Sequence, residues 1–130
     1  MAKRILIVDD EPSIVSLLNE CLKRSGFDVQ TALGGVEGLT MLEKWPFDGM
    51  TLGLIMPHMN GIEFLRQLRQ RNQFLPVIVI SGGYAQLTAS EREFVKDKTQ
   101  AVLTIPFTPA DLTPILNKCF GVAAEVAPFI

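Results

Sequence analysis

The sequence predicts an α/β fold: a doubly wound, five-stranded parallel sheet with helices on both faces. Five strand-like segments alternate with five helical patterns along the 130 residues, and parallel strands need crossover connections of this kind. Residues 5–8 and 76–80 are apolar without alternation, which is typical of strands that are buried on both faces. The carboxyl ends of parallel strands meet at one edge of the sheet, where open α/β folds bind their ligands.

The elements follow from apolar spacing and from the residues that interrupt it. The first helix is expected to begin at Pro12, which suits a first helical position, and to end before Gly26, which suits a left-handed cap. Helical patterns then follow at 36–44, from Gly61 onward, at 85–98 and at 109–120, and strand patterns at 27–31, 48–54, 76–80 and 101–105.

Composition excludes several classes of protein. With 48% hydrophobic and 20% charged residues, the chain has the make-up of a globular domain. A net charge of −2 without a basic cluster does not favour nucleic-acid binding. No apolar run approaches the roughly 20 residues of a membrane span, and the first residues do not resemble a signal peptide. We therefore expect a cytoplasmic protein.

Two further features concern the ends of the domain and its cysteines. We expect one domain over residues 1–121, followed by an apolar tail over 122–130 that docks on this chain or on a partner, because exposed apolar segments are unfavourable in water.

Cys21 and Cys119 lie within helical patterns and are interpreted as reduced, buried residues. A disulfide between them is the less favoured alternative.

Acidic residues follow the first strand directly. Asp9 and Asp10 stand where this strand must leave the sheet, and two adjacent carboxylates repel each other unless a cation lies near them. Ser81 follows the fourth strand, so we expect its hydroxyl at the same edge. These side chains are the first candidates for a functional site.

Taken together, these motifs resemble the receiver domain of bacterial two-component response regulators. The resemblance covers residues 4 to about 120 and rests on Asp9-Asp10, on Met56-Pro57 with Asn60-Gly61, on Ser81 and on Pro106-Phe107. It implies the flavodoxin-like strand order 2-1-3-4-5 and a cis bond between Ile105 and Pro106. It also implies phosphorylation, by a histidine kinase, of an aspartate on the third strand. In the family the acidic pair holds Mg²⁺, the hydroxyl contacts the phosphoryl group and a lysine contacts the phosphorylated carboxylate.

Two positions depart from the family pattern. The phosphoacceptor lies four residues before Pro57, which is Gly53 here, and the lysine precedes Pro106, where this chain has Ile105. A glycine cannot be phosphorylated. The absence of the aspartate also removes a carboxylate that would bind the metal, so we expect Asp9 and Asp10 to bind Mg²⁺ only weakly. Ser81 is then more simply interpreted as bonded to nearby backbone.

The sequence therefore favours a non-enzymatic receiver domain that acts through protein contacts rather than through the usual phosphorylation. The partner classes implied by the resemblance are a histidine kinase, an effector domain or a second copy, with the fourth helix, fifth strand and fifth helix as the candidate dimer face. Two alternatives stay open. One is phosphorylation at a non-standard residue such as Ser81 or Asp10, and the other is a small-ligand sensor that uses the space vacated at Gly53.

Overall fold

A computed structural model describes residues 2–56, 58–72 and 74–121 of the chain. The five strands are β1 (Arg4–Val8), β2 (Asp28–Ala32), β3 (Gly49–Gly53), β4 (Val77–Ser81) and β5 (Ala101–Thr104). The five helices are α1 (Pro12–Arg24), α2 (Gly35–Lys44), α3 (Gly61–Arg71), α4 (Ala89–Lys98) and α5 (Pro109–Phe120). No helix of these described parts is long and apolar enough to cross a membrane.

The strands form one parallel sheet in the order β2-β1-β3-β4-β5. This order confirms the doubly wound fold. The three strands at its centre, β1, β3 and β4, are buried along almost their whole length. Their side chains alternate between two hydrophobic clusters, because successive residues of a strand point to opposite faces. One cluster packs under α1 and α5, and the other packs under α2, α3 and α4.

Predicted and observed elements differ most at α4. The apolar pattern predicted a helix from residue 85, whereas α4 begins at Ala89 and a separate 3-10 turn covers Tyr84–Gln86. Thr88 and Glu91 explain the later start, since each side chain accepts a hydrogen bond from the other's backbone N–H. Such a capping box fixes a helix N-terminus. The predicted and observed boundaries of the other helices and strands agree to within one or two residues.

One face of β3 is unusual because it carries almost no side-chain volume. Gly49, Thr51 and Gly53 share the face toward α1 and α5. The ring of Phe120 packs against Gly49, where an added Cβ would lie 2.5 Å from its Cε1 atom. Between the two glycines the hydroxyl of Thr51 is buried and has no hydrogen-bond partner among the described residues.

Two long-range contacts fasten the helices. Arg69 of α3 donates from Nε and Nη2 to the carbonyl of Lys98, at 3.0 and 2.6 Å, and so satisfies the last turn of α4. Lys3 donates to the carbonyl of Phe120 at 2.7 Å and does the same for α5. These bonds supply partners for carbonyls that a helix C-terminus otherwise leaves unpaired.

Cys21 and Cys119 are both free, as the reduced interpretation predicted. Cys21 lies buried in α1 and Cys119 is half-buried in α5. Burial raises the pKa of both thiols, which lowers their reactivity because the thiolate is the reactive form. They are packing residues of the α1 and α5 layer.

The unpartnered hydroxyl of Thr51 leads to a stability prediction. A buried hydroxyl without a partner costs about 1–3 kcal/mol, so Thr51→Val, which replaces the hydroxyl by a methyl group, should stabilise the protein by about 1 kcal/mol. The free energy of unfolding in urea measures this change. Thr99→Val is the matched control, because its hydroxyl donates to the Val95 carbonyl at 2.7 Å and its loss should not stabilise. Equal effects of the two substitutions would contradict the assignment.

Candidate functional site

The predicted site residues lie together in one cleft of about 390 Å³ at the carboxyl edge of the sheet. Its walls come from the segments that follow four of the strands. They include all five predicted positions, Asp9, Asp10, Gly53, Ser81 and Ile105. The parallel sheet brings them together because the segments after β1, β3, β4 and β5 leave at the same edge.

Asp9 is the most buried acid of the cleft, with 6% of its surface exposed. Its Oδ1 accepts a hydrogen bond from the Glu11 N–H at 3.0 Å. Burial raises the pKa of Asp9, and the charges of Asp10 and Glu11 add to the rise, while backbone hydrogen bonds from Glu11 and Asp10 partly oppose it. None of the ion pairs among the described residues involves these three acids. The cleft therefore holds uncompensated negative charge.

Gly53 lies directly beside Asp9. A Cβ atom added to Gly53 would lie 2.7 Å from Oδ2 and 2.9 Å from Cγ of Asp9, closer than non-bonded carbon atoms pack. The Asp9 carboxyl thus occupies part of the space that a side chain at position 53 would need. This contact also reduces the vacated space that the ligand-sensor alternative relies on. Pro57, from which the acceptor position is counted, lies outside the described residues.

Ser81 is buried, and its Oγ accepts a hydrogen bond from the Gly83 N–H at 2.9 Å. Its carbonyl accepts from the Ile105 N–H at 3.0 Å, which continues the β4–β5 pairing beyond the strands. The hydroxyl is therefore engaged with nearby backbone, as the simpler interpretation predicted.

Ile105 stands at the rim of the cleft with 38% of its surface exposed. The Ile105–Pro106 peptide bond is cis, as the resemblance implied. The side chain of Ile105 approaches Gly82, where an added Cβ would lie 3.8 Å from the Ile105 Cβ. An apolar side chain therefore lines this side of the cleft.

The donor set of the cleft does not fit a tightly held divalent metal. No three His, Cys, Asp or Glu side chains within the described ranges are grouped so that they could hold a metal ion. Mg²⁺ requires near-octahedral oxygen ligands and is reluctant to lose its waters. Asp9 and Asp10 supply two carboxylates, and Asp9 is tied to the backbone of its own turn. Glu11 also lines the cleft but does not complete a metal-holding group with them.

Gln86 and Ile55 are among the residues of the cleft that were not predicted as site residues from the sequence. Gln86 lines it from the 3-10 turn, and Ile55 lines it from the segment after β3. Gln86 was missed because the apolar pattern placed it inside a helix. The pair Thr88 and Glu91, at capping-box spacing, was the signal that could have shown the helix starting later.

Comparisons with known proteins agree on one family. Residues 5–117 match the family model described as the response regulator receiver domain. The alkaline phosphatase synthesis transcriptional regulatory protein PhoP of Bacillus subtilis is 40% identical over 135 aligned residues, which cover 98% of this chain and 52% of PhoP. The chain therefore spans about half the length of this relative.

Solved structures show the same architecture. Chemotaxis protein CheY4 of Vibrio cholerae is 27% identical with a TM-score of 0.81, and the match covers 92% of this chain and 99% of CheY4. Response regulator protein TrrA of Thermotoga maritima, solved in complex with Mg²⁺ and BeF, is 27% identical with a TM-score of 0.77. That match covers 90% of this chain and 98% of TrrA.

The raised pKa of Asp9 predicts how stability depends on pH. A carboxyl that binds its proton more tightly in the folded state contributes stability below its unfolded pKa of about 3.9, and this contribution is lost as pH rises through the folded pKa. Asp9→Asn removes the charge and keeps an acceptor for the Glu11 N–H. Its melting temperature should exceed that of the wild type at neutral pH, and the difference should shrink as pH falls toward 4. The control Asp10→Asn, at an exposed position, should show less of this trend. A melting-temperature difference for Asp9→Asn that is the same at every pH would refute the prediction.

Proposed function

The chain belongs to the response regulator receiver domain family of two-component signalling, and from this premise we propose that it is a receiver that signals without the usual phosphorylation. In this proposal residues 1–121 form a binding module that presents a constitutive surface to a protein partner. The module works in the cytoplasm and has no enzymatic activity of its own.

The observation that carries the proposal is the contact between Gly53 and Asp9. Phosphoryl transfer to a receiver needs a carboxylate nucleophile beside the acidic pair. The β3 residue that lies against Asp9 has no side chain, so the position suited to a nucleophile offers only backbone. Asp48 is no substitute, because it precedes β3 at the opposite edge of the sheet, where it accepts from the Arg4 N–H.

Ile105 supports the same conclusion from the other side of the cleft. A lysine at this position would pair with the phosphorylated carboxylate. Without that carboxylate, a partly buried ammonium group would lose hydration and have fewer anionic partners to compensate for it. Replacing an acid and a base together leaves the charge sum of the site unchanged. Gly53 and Ile105 are therefore consistent with a single loss of function. The absence of the acid reduces the need for the base, and the absence of the base reduces the need for the acid.

Mg²⁺ has a correspondingly small role in this proposal. If Asp9 and Asp10 bind it, two carboxylates without a third hold it weakly. A metal present at a hundred times its dissociation constant would stabilise the fold by about 2.7 kcal/mol. We expect much less than this at millimolar Mg²⁺.

The partner is expected to be a protein: a histidine kinase, an effector domain or a second copy of this chain. The proposed contact surface is formed by α4, β5 and α5, where β5 is only half-buried and the outer faces of both helices are exposed. The chain spans about half of PhoP. If it is part of a longer protein, an effector domain of that protein is one of the proposed partners. Binding to nucleic acid by this domain is not part of it.

The two alternatives have weaker support. Phosphorylation of Ser81 would require its buried hydroxyl to leave the Gly83 N–H, and Asp10 lies exposed at the rim. A small-ligand sensor would use the 390 Å³ cleft, but Asp9 already occupies part of the space over Gly53.

A small phosphodonor tests the proposal directly. We expect the protein, incubated with acetyl phosphate and Mg²⁺ and weighed intact, to gain no phosphoryl group, because no side chain at position 53 can accept one. The melting temperature of the same sample should change little when Mg²⁺ is added. A stoichiometric gain of one phosphoryl group would overturn the proposal, and mapping it to Ser81 or Asp10 would establish the first alternative.

Restoring the acceptor should not restore phosphorylation by itself. In Gly53→Asp the new carboxyl must displace Asp9 and adds a third acid beside two uncompensated ones. Because the Asp9 carboxyl is the end of a flexible side chain and can shift, we expect the variant to lose about 1–3 kcal/mol of stability chiefly through this repulsion and to be labelled poorly by acetyl phosphate. Adding Ile105→Lys should improve both stability and labelling, since the ammonium then has an anion to pair with.

Gly53→Ala is the matched control for this series. It introduces the same Cβ without the charge, so it separates the steric displacement of Asp9 from the added repulsion. If Gly53→Asp alone were labelled as efficiently as the double variant, the argument about the missing lysine would be wrong.

A further inference from the structure

A second concave surface lies at the amino edge of the sheet, opposite the acidic cleft. It is a groove of about 550 Å³ between the end of α2 and the end of α3, within the range of roughly 300–1,000 Å³ that is usual for ligand sites. We call it the amino-edge groove. Its apolar lining includes Leu39, Leu42, Trp45, Phe47, Leu68 and Leu75.

The groove leaves the large apolar side chain of Trp45 in contact with water, with 47% of its surface exposed. Exposed apolar surface in a concave site often marks a place that another group covers. An ion pair between Glu43 and Arg71, at 3.3 Å, stands at the rim.

We propose that residues 122–130 of the same chain cover the amino-edge groove. This segment lies outside the described residues, and its sequence, Val-Ala-Ala-Glu-Val-Ala-Pro-Phe-Ile, contains one charged residue, Glu125. An apolar segment and an apolar groove each lose unfavourable contact with water when they pack together.

The start of the segment places it within reach of the groove. The helix before it, α5, ends at Phe120, whose ring packs on Gly49 at the beginning of β3. Gly49 comes only two residues after Phe47 of the groove, a separation of at most about 7 Å along the chain. Nine residues span up to about 30 Å when extended, which is enough to pass this edge and enter the groove.

Tethering favours the chain's own segment over one from a second copy. A short flexible connection gives an effective concentration in the millimolar range, well above that of a dilute protein solution. The inference concerns the opposite edge of the sheet from the acidic cleft, so it does not rest on the proposed loss of phosphorylation.

The chain offers its own probe, because Trp45 is its only tryptophan and lines the groove. The experiment compares Trp45 fluorescence of the full chain with that of the double variant Phe129→Ser and Ile130→Ser. We expect the full chain to emit at shorter wavelength and to resist quenching by acrylamide. In the variant the emission should shift to longer wavelength and quenching should increase.

Matched controls separate docking from a general change in surface polarity. Leu33→Ser with Val36→Ser removes two exposed apolar side chains at the carboxyl edge of the sheet, away from the groove, and should leave Trp45 unchanged. Unchanged far-ultraviolet circular dichroism shows that each variant is folded.

Each other outcome would overturn the proposal. If the full chain already shows an exposed Trp45 and the tail variant changes nothing, the groove is open. If the difference appears only as protein concentration rises, the occupant is the tail of a second copy. If Leu33→Ser with Val36→Ser shifts the emission as much as the tail variant, Trp45 is not reporting on the groove.

Discussion

The close approach of Asp9 to Gly53 is the contact on which the functional site depends. Because β3 carries no side chain at this point, the Asp9 carboxyl rests against its backbone at the edge of the sheet. There it is buried, accepts from the Glu11 N–H and has no basic partner among the described residues. The burial that raises its pKa follows from the same position. The geometry and the charge of the cleft at this point thus have one common cause.

Ser81 and Ile105 complete the cleft beside Asp9 and Gly53. Ser81 uses its hydroxyl for the turn after β4, and Ile105 closes the rim with an apolar side chain. Ser81 Oγ accepts from the Gly83 N–H, and Ile105 places no charged group in the cleft. The chain keeps the fold of the receiver family, and in the function proposed above these groups serve packing rather than phosphoryl transfer.

Sequence reasoning predicted the parts of the structure that local patterns determine. Continuous apolar runs located β1 and β4, and strand alternation with helices predicted which residues would meet at one edge. It misplaced the start of α4, because Leu87 extended an apolar pattern that the Thr88 capping box interrupts. It also could not predict that Asp9 would lean over Gly53, or that Trp45 and Leu75 would line one groove. Those contacts join residues distant in sequence and depend on side-chain directions that only the packed molecule determines.

The bond between Arg69 and the Lys98 carbonyl has a mechanical consequence. Both donors of one guanidinium group converge on the last turn of α4 from α3, and burial lowers the pKa of Arg69, so breaking the contact would strand a poorly hydrated cation. Separating α4 from α3 therefore requires this link to break, which makes it one of the contacts that keep the two helices together.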